Sequence, residues 1–181
     1  YENNNIRRWG AHGTSHRFVS ARVAEFLGQN VEDLKIITCH IGNGASITAV
    51  KDGKCFETSM GLTPLEGMMM GTRSGDIDAS AVLAIMKEEG YDADRMSDLL
   101  NKESGVLGIS GVSSDMREVK EAADNGHERA KLALEMYSHR IKKYIGSYAA
   151  IMGGVDVIVF TAGVGEHQWD IRYNSVSGLE F

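Results

Sequence analysis

This sequence predicts a mixed α/β domain, on three observations. Residues 35–60 hold three segments rich in β-branched or aromatic residues, "KIITCHI", "ASITAV" and "KCFETSM", separated by "GNG" and "KDG". Helical spacing of apolar residues dominates the stretch from 76 to 152. The apolar run "VDVIVF" then reads as a strand buried on both faces of a sheet. Three antiparallel strands in a meander, then helices, a buried strand and a helix, is the architecture that follows.

Each element has its own signal. The polar opening "YENNN" reads as loose. After "HGTSH", Phe18, Val19, Val23, Ala24, Phe26 and Leu27 recur at helical spacing, and Gly28 is a stop signal. Thr14 or Ser15 is the expected N-cap of that helix. Asp76 is the expected cap of a helix carrying Ile77, Ala81, Ile85 and Met86. "DADRMSDLLNK", "SSDMREVKEAADNG" and "HERAKLALEMYSHRIKKYIGSYAAIM" supply the remaining helices, and "TAGVGE" turns the chain toward another one. The chain begins at Tyr1 and stops at Phe181 within "SGLEF", so both ends read as cut.

Composition narrows the function. At 181 residues and 43% hydrophobic content the chain can build one sizeable core. A net charge of −6 argues against nonspecific attraction to nucleic acid or an anionic membrane. An anionic ligand would therefore need local donors. Cys39 and Cys55 form no close-spaced metal or redox pattern, which suits a reducing cytoplasm, and no apolar stretch is long enough to cross a membrane. Glycine is abundant at 21 while proline occurs once, at Pro64, so tight turns here are glycine turns.

The chemistry-bearing residues remain ambiguous one by one. "GMMMGTRSGD" sets Arg73 between three methionines and a cluster of small residues, with Glu66 upstream; alone it reads as a solvated turn arginine. "CHIGNGAS" and "FTAGVGEH" each place G-x-G after a predicted strand, yet neither has the third glycine of a dinucleotide fingerprint, and no P-loop is present. Each could be an ordinary turn. Each could equally be an anion nest of backbone N–H groups, and finding two in one domain tilts the reading toward a nucleotide. His12 and His16 lie four apart, but Gly13 stands where a zinc protease needs glutamate. His12 reads better as a residue preceding a helix N-terminus, facing an anion with its free N–H groups, and His16 as a satisfied structural histidine. His40 either shares the cleft of the "GNG" turn or is an exposed strand residue.

Taken together, "RRWGAHGTSH", "HIGNGASITAVKDGK", "TSMGLTPLEGMMMGTRSGDID", "SGVLGISGVSSDMR" and "DVIVFTAGVGE" resemble the successive signature segments of acetate kinases. Butyrate kinases are more distant relatives. The resemblance implies reversible transfer of the γ-phosphoryl of ATP to acetate, giving acetyl phosphate and ADP, with Mg2+ travelling on the nucleotide. It also implies the two-domain fold shared with sugar kinases and actin, ribonuclease H-like in each half, and a homodimer. On this chain the family's transition-state stabilisers fall on His12 and Arg73. His40, Ile41, Gly42, Asn43 and Gly44 match the phosphate-contacting hairpin. Asp115, Met116 and Arg117, with Gly163, Val164, Gly165, Glu166 and His167, match the segments around the adenosine.

The same resemblance implies that residues 1–181 are an incomplete nucleotide-binding C-terminal domain. The N-terminal domain and the C-terminal end would lie outside it, the magnesium ligands among them, so the polypeptide alone is expected to have little activity. The family's usual asparagine at 167 is His167 here. Three rivals stay open: a kinase for propionate or butyrate, a binding module that transfers no phosphate, and a zinc hydrolase built on His12 and His16.

Overall fold

The computed structural model describes residues 2–180; Tyr1 and Phe181, part of the readings of the two ends, lie outside them. Helix α1 (Gly13–Leu27) precedes strands β1 (Ile36–Ile41), β2 (Ala45–Lys51) and β3 (Lys54–Thr58). Helices α2 (Ala79–Glu89), α3 (Ala93–Lys102), α4 (Gly105–Ser110), α5 (Met116–Asp124) and α6 (Glu128–Met152) follow. Strand β4 (Val157–Thr161) and helices α7 (Ala162–His167) and α8 (Trp169–Val176) complete the chain.

The meander forms as its turn residues predict, with β1–β2 and β2–β3 antiparallel and β4 added parallel to β1, giving the order β3-β2-β1-β4. Alternation along the strands gives the sheet two unlike faces. Ile37, Cys39 and Ile41 of β1 and Ala45, Ile47 and Ala49 of β2 join the main core with Tyr137, Ile141, Ile145 and Tyr148 of α6. The opposite face meets α1, where Ile36 and Val50 pack with Ala24 at one end. Toward the other end that face turns polar but stays mostly buried, through Thr38, Thr48 and Ser46.

Four sequence expectations need correction. The N-cap of α1 is His12, in a left-handed conformation (φ 63°), and not Thr14 or Ser15, which are already helical. Helix α2 is capped by Asp78, whose Oδ1 accepts from Ser80 N at 2.8 Å. Asp76 instead accepts from Gly67 N at 2.8 Å and Tyr144 Oη at 2.6 Å, tying its loop to α6. Strand β4 is half-buried and lies at the edge of the described sheet, because only β1 pairs with it there. Finally, Gly163 and Gly165 lie inside helix α7; the positive φ at that junction belongs to Ala162 (66°), not to either glycine.

Candidate functional site

The loop around Arg73 is fixed before any ligand arrives. Met70 N donates to Arg73 O, Asp76 N to Gly67 O and Ser104 N to Thr72 O, all at 3.0 Å. Met68, Met69 and Met70 are buried beneath it. Glycine is required for close approach at several points of this loop, Gly67 and Gly75 among them. A methyl on Gly71 would stand 2.5 Å from Asn43 Oδ1, and one on Gly105 (φ +63°) would collide with the Met70 carbonyl. Asp76, the nearest acid in sequence, is held by Gly67 N and Tyr144 Oη, and Glu66 pairs with Arg8 at 2.8 Å. Among the described residues, Arg73 hydrogen-bonds through Nη1 alone, to Pro64 O at 3.3 Å and Met70 Sδ at 3.5 Å. Its charge is therefore not neutralised by a carboxylate.

Opposite that guanidinium lies the β1–β2 hairpin. Neither Gly42 nor Gly44 adopts a left-handed φ, so hairpin geometry does not explain them. Proximity does. A methyl on Gly44 would come within 3.3 Å of Arg73 Nη1 and 3.7 Å of His12 Nε2. An imidazole and a guanidinium, far apart in sequence, thus flank one glycine.

Three histidines gather at this point. The His12 and His40 rings stack at 4.1 Å, and Ser15 Oγ lies 2.8 Å from His40 Nδ1. His40 is half-buried beside Gly42, which settles its direction. His16 lies one turn below His12, with Nδ1 at 2.7 Å from Thr38 Oγ1 and Nε2 at 2.7 Å from Ser46 Oγ. Both of its ring nitrogens are taken by hydroxyls, so it offers no lone pair to a metal shared with His12. Burial lowers the pKa of His12, and His40 and the Arg73 cation lower it further. Burial, again with help from its two neighbouring imidazoles, pushes His16 down to about 4.

A cleft of about 750 Å³ opens from the hairpin. Gly42 and Asn43 line it from one side, and Gly163, Val164 and His167 line it from α7. Asp115, Met116 and Arg117 contribute the N-terminus of α5. Both glycine motifs therefore face one cavity. The Asp115 carboxylate caps α5 through Arg117 N at 2.9 Å and forms a two-pronged pair with the Arg117 guanidinium, which holds its pKa near about 2. Of the remaining sequence candidates, Ile41 is in the core, Gly165 is the buried residue of α7 facing Ile41 and Phe160, and Glu166 is exposed beside Thr161.

Sequence reasoning passed over two residues in that cleft. Tyr137 is 1% exposed, and its hydroxyl, like Gln168 Oε1, finds no hydrogen-bond partner among the described residues. Buried polar atoms are nearly always satisfied, and two of the three side-chain exceptions among the described residues belong to residues on the wall of this cavity; the third, Ser138 Oγ, does not. Their spacing gives no hint of this; Tyr137 reads as one more core residue of α6.

Comparison with known proteins identifies what the whole chain is similar to. The model of the Acetokinase family matches residues 1–181. An acetate kinase from Bacteroides thetaiotaomicron is 66% identical over 181 residues, covering 100% of this chain and 45% of its own length. An acetate kinase from Clostridium novyi is 57% identical with the same coverage. Among solved structures, Porphyromonas gingivalis acetate kinase superposes with a TM-score of 0.98 at 57% identity, over 99% of this chain and 45% of that one. A propionate kinase from Francisella tularensis gives 0.91 at 50% identity, over 97% and 45%. The chain spans less than half the length of these relatives.

Proposed function

The chain belongs to the acetokinase family, and from that premise we propose that it is the nucleotide-binding part of an ATP-dependent acetate kinase. Its α/β architecture is that of the actin-like ATPases to which acetate kinases belong. Residues 1–181 then form most of a C-terminal domain whose partner domain binds the carboxylate. The reaction moves the γ-phosphoryl of ATP to acetate, giving acetyl phosphate and ADP, and runs both ways.

The observation that carries this reading is the convergence of Arg73 and His12 on Gly44, at the hairpin end of the cleft. Phosphoryl transfer spreads charge over three equatorial oxygens and leaves the protein mainly electrostatic work. The guanidinium can bond two of those oxygens at once, and the imidazole can bond a third. Backbone N–H groups of Asn43 and Gly44 would meet the phosphates, and the cavity between α5 and α7 would take the adenosine. In that cavity Tyr137 and Gln168 await polar partners. His167 replaces the usual asparagine there and presents an imidazole edge to the nucleoside instead of an amide.

Among the described residues no cluster of three His, Cys, Asp or Glu could hold a metal. Mg2+ would ride on the phosphates, which need only one or two protein carboxylates beside them, and the family resemblance places those ligands outside this chain. No described helix is long and apolar enough to cross a membrane; a cytoplasmic location is part of the proposal and rests on the two cysteines' lack of a disulfide pattern. A homodimer belongs to the same proposal and rests on the family resemblance.

The deciding experiment uses the complete enzyme carrying this chain, with acyl phosphate trapped as hydroxamate from ATP and a series of carboxylates. Acetate as the preferred acceptor is the expected result. Preference for propionate, as the Francisella neighbour's name invites, would keep the chemistry and change the acceptor. ATP binding without any acyl phosphate would overturn the kinase reading.

A further inference from the structure

The buried polar end of the α1-facing sheet does more than fill space. Thr38 and Ser46 project from β1 and β2 on the same face, and His12 and His16, four apart on α1, present their rings to it. The contacts run in series: Thr38 Oγ1 to His16 Nδ1 at 2.7 Å, His16 Nε2 to Ser46 Oγ at 2.7 Å, Ser46 Oγ to His12 Nδ1 at 2.8 Å. Thr38 and Ser46 are fully buried and His16 is 5% exposed, so water does not compete for these bonds.

If every hydroxyl hydrogen is to find an acceptor, two proton orders remain; a third, with Ser46 Oγ accepting from both rings, leaves the Ser46 hydrogen without a partner among the described residues. In one, every bond points away from the cleft: His12 Nδ1–H donates to Ser46, Ser46 to His16 Nε2, and His16 Nδ1–H to Thr38. The Thr38 hydroxyl must then donate to Thr48 O, a stretched 3.4 Å contact. That order also turns a bare lone pair of His12 Nε2 toward the cleft. In the other, Thr38 donates to His16 Nδ1 at 2.7 Å, His16 Nε2–H to Ser46, and Ser46 to His12 Nδ1. His12 is left with its hydrogen on Nε2, the atom beside Gly44.

We infer that Thr38, His16 and Ser46 form a buried relay that fixes His12 as a neutral imidazole whose Nε2–H is aimed at the transferring phosphoryl group. No proton moves along it. Each hydroxyl and each ring keeps its hydrogen, and the last N–H bonds a phosphoryl oxygen. The charged and titratable groups facing His12 are Arg73 from its loop, His40 stacked from β1 and His16 from α1 itself; none is an anion that would favour a cationic ring. Ser46, His16 and Thr38 are thus positioning residues. The relay rests on the kinase reading for its catalytic effect, though not for its geometry.

The test is nitrogen-15 NMR of histidine side chains in the complete enzyme at neutral pH. The wild-type spectrum alone should show His12 neutral, with hydrogen on Nε2 and Nδ1 accepting. A cationic His12, or hydrogen on Nδ1, would overturn the relay without any variant. Ser46→Ala should move the Nδ1 resonance and lower kcat by roughly 10- to 100-fold, the usual scale for losing an orienting partner, with KM for ATP within about twofold. Ser46→Thr keeps the hydroxyl and should restore most of the rate. Unchanged kcat in Ser46→Ala would also refute the relay. If the wild-type enzyme made no acyl phosphate, the kinase reading would fall while the spectrum still decided the tautomer.

Discussion

Gly42–Asn43–Gly44 and Gly163–Val164–Gly165 are spelled alike and face the same cleft, yet the backbone does different things in them. The first is a short link between antiparallel strands, where Gly42 N donates to Gly44 O at 3.2 Å. The second is most of a one-turn helix whose end is tied by Arg172 to the carbonyls of Gly165 (3.0 Å) and Glu166 (2.7 Å). A methyl on Gly44 would press on the guanidinium and the imidazole, whereas one on Gly163 would meet nothing within 4 Å. The same G-x-G spacing therefore keeps His12 and Arg73 close to the backbone in one place and leaves a wall smooth in the other. What a missing Cβ would have touched separates the two, and G-x-G spacing does not.

The comparison is broken or sharpened by four measurements. Arg73→Lys in the complete enzyme keeps the charge but loses the planar fork, so kcat should fall about 10²- to 10³-fold. Near-normal turnover would mean that the hairpin end does not hold a two-point contact.

The next effect is on acid stability. His16 ionises near 6.5 when unfolded and is held down to about 4 in the fold, so its stabilising contribution is whole above 6.5 and drains away as pH falls toward 4. Urea unfolding should show a loss of about 2–3 kcal/mol over that window, with His12 and His40 adding in the same direction, and His16→Gln should flatten the slope. The adenosine end answers differently. Asp115 is only half-buried, and its pairing with Arg117 persists until pH falls from about 4 through about 2.

Gly44→Ala pits a new methyl against the flexible end of Arg73. It should cost roughly tenfold in kcat with little change in melting temperature, because misplacement, not unfolding, is the damage. Gly163→Ala is the mildest. It should stabilise α7 by about 0.5–1 kcal/mol, the normal gain of alanine over glycine in a helix, and raise only the KM for ATP. Should it reduce kcat as strongly as Gly44→Ala, the two motifs would be doing one job after all.

The fold was readable wherever a local rule had no competitor. "GNG" and "KDG" between β-branched runs located the meander, and His127 and Gly153 bracket the long helix α6 closely to its sequence limits. Errors arose where two neighbours could satisfy the same rule. Asp76 and Asp78 both suit a helix cap, but Tyr144 and Gly67 claim the first. Helix α4 carries no amphipathic period in six residues and left no trace. "GVG" reads as a turn because glycine disfavours helix, and only the packing of α7 on β1 overrides that. The site was less legible, since Ser46, Tyr137 and Gln168 are ordinary letters in ordinary elements. Their interest lies in what stands beside them, and sequence spacing does not carry that.

Met68, Met69 and Met70 have a consequence beyond filling the space under the Arg73 loop. Their sealed thioethers can meet peroxide only when that loop lifts, so sulfoxide formation at these positions counts openings that leave the average structure unchanged. The molecule carries its own slow clock for the segment that holds Arg73. A nucleotide that clamps the loop would slow that clock.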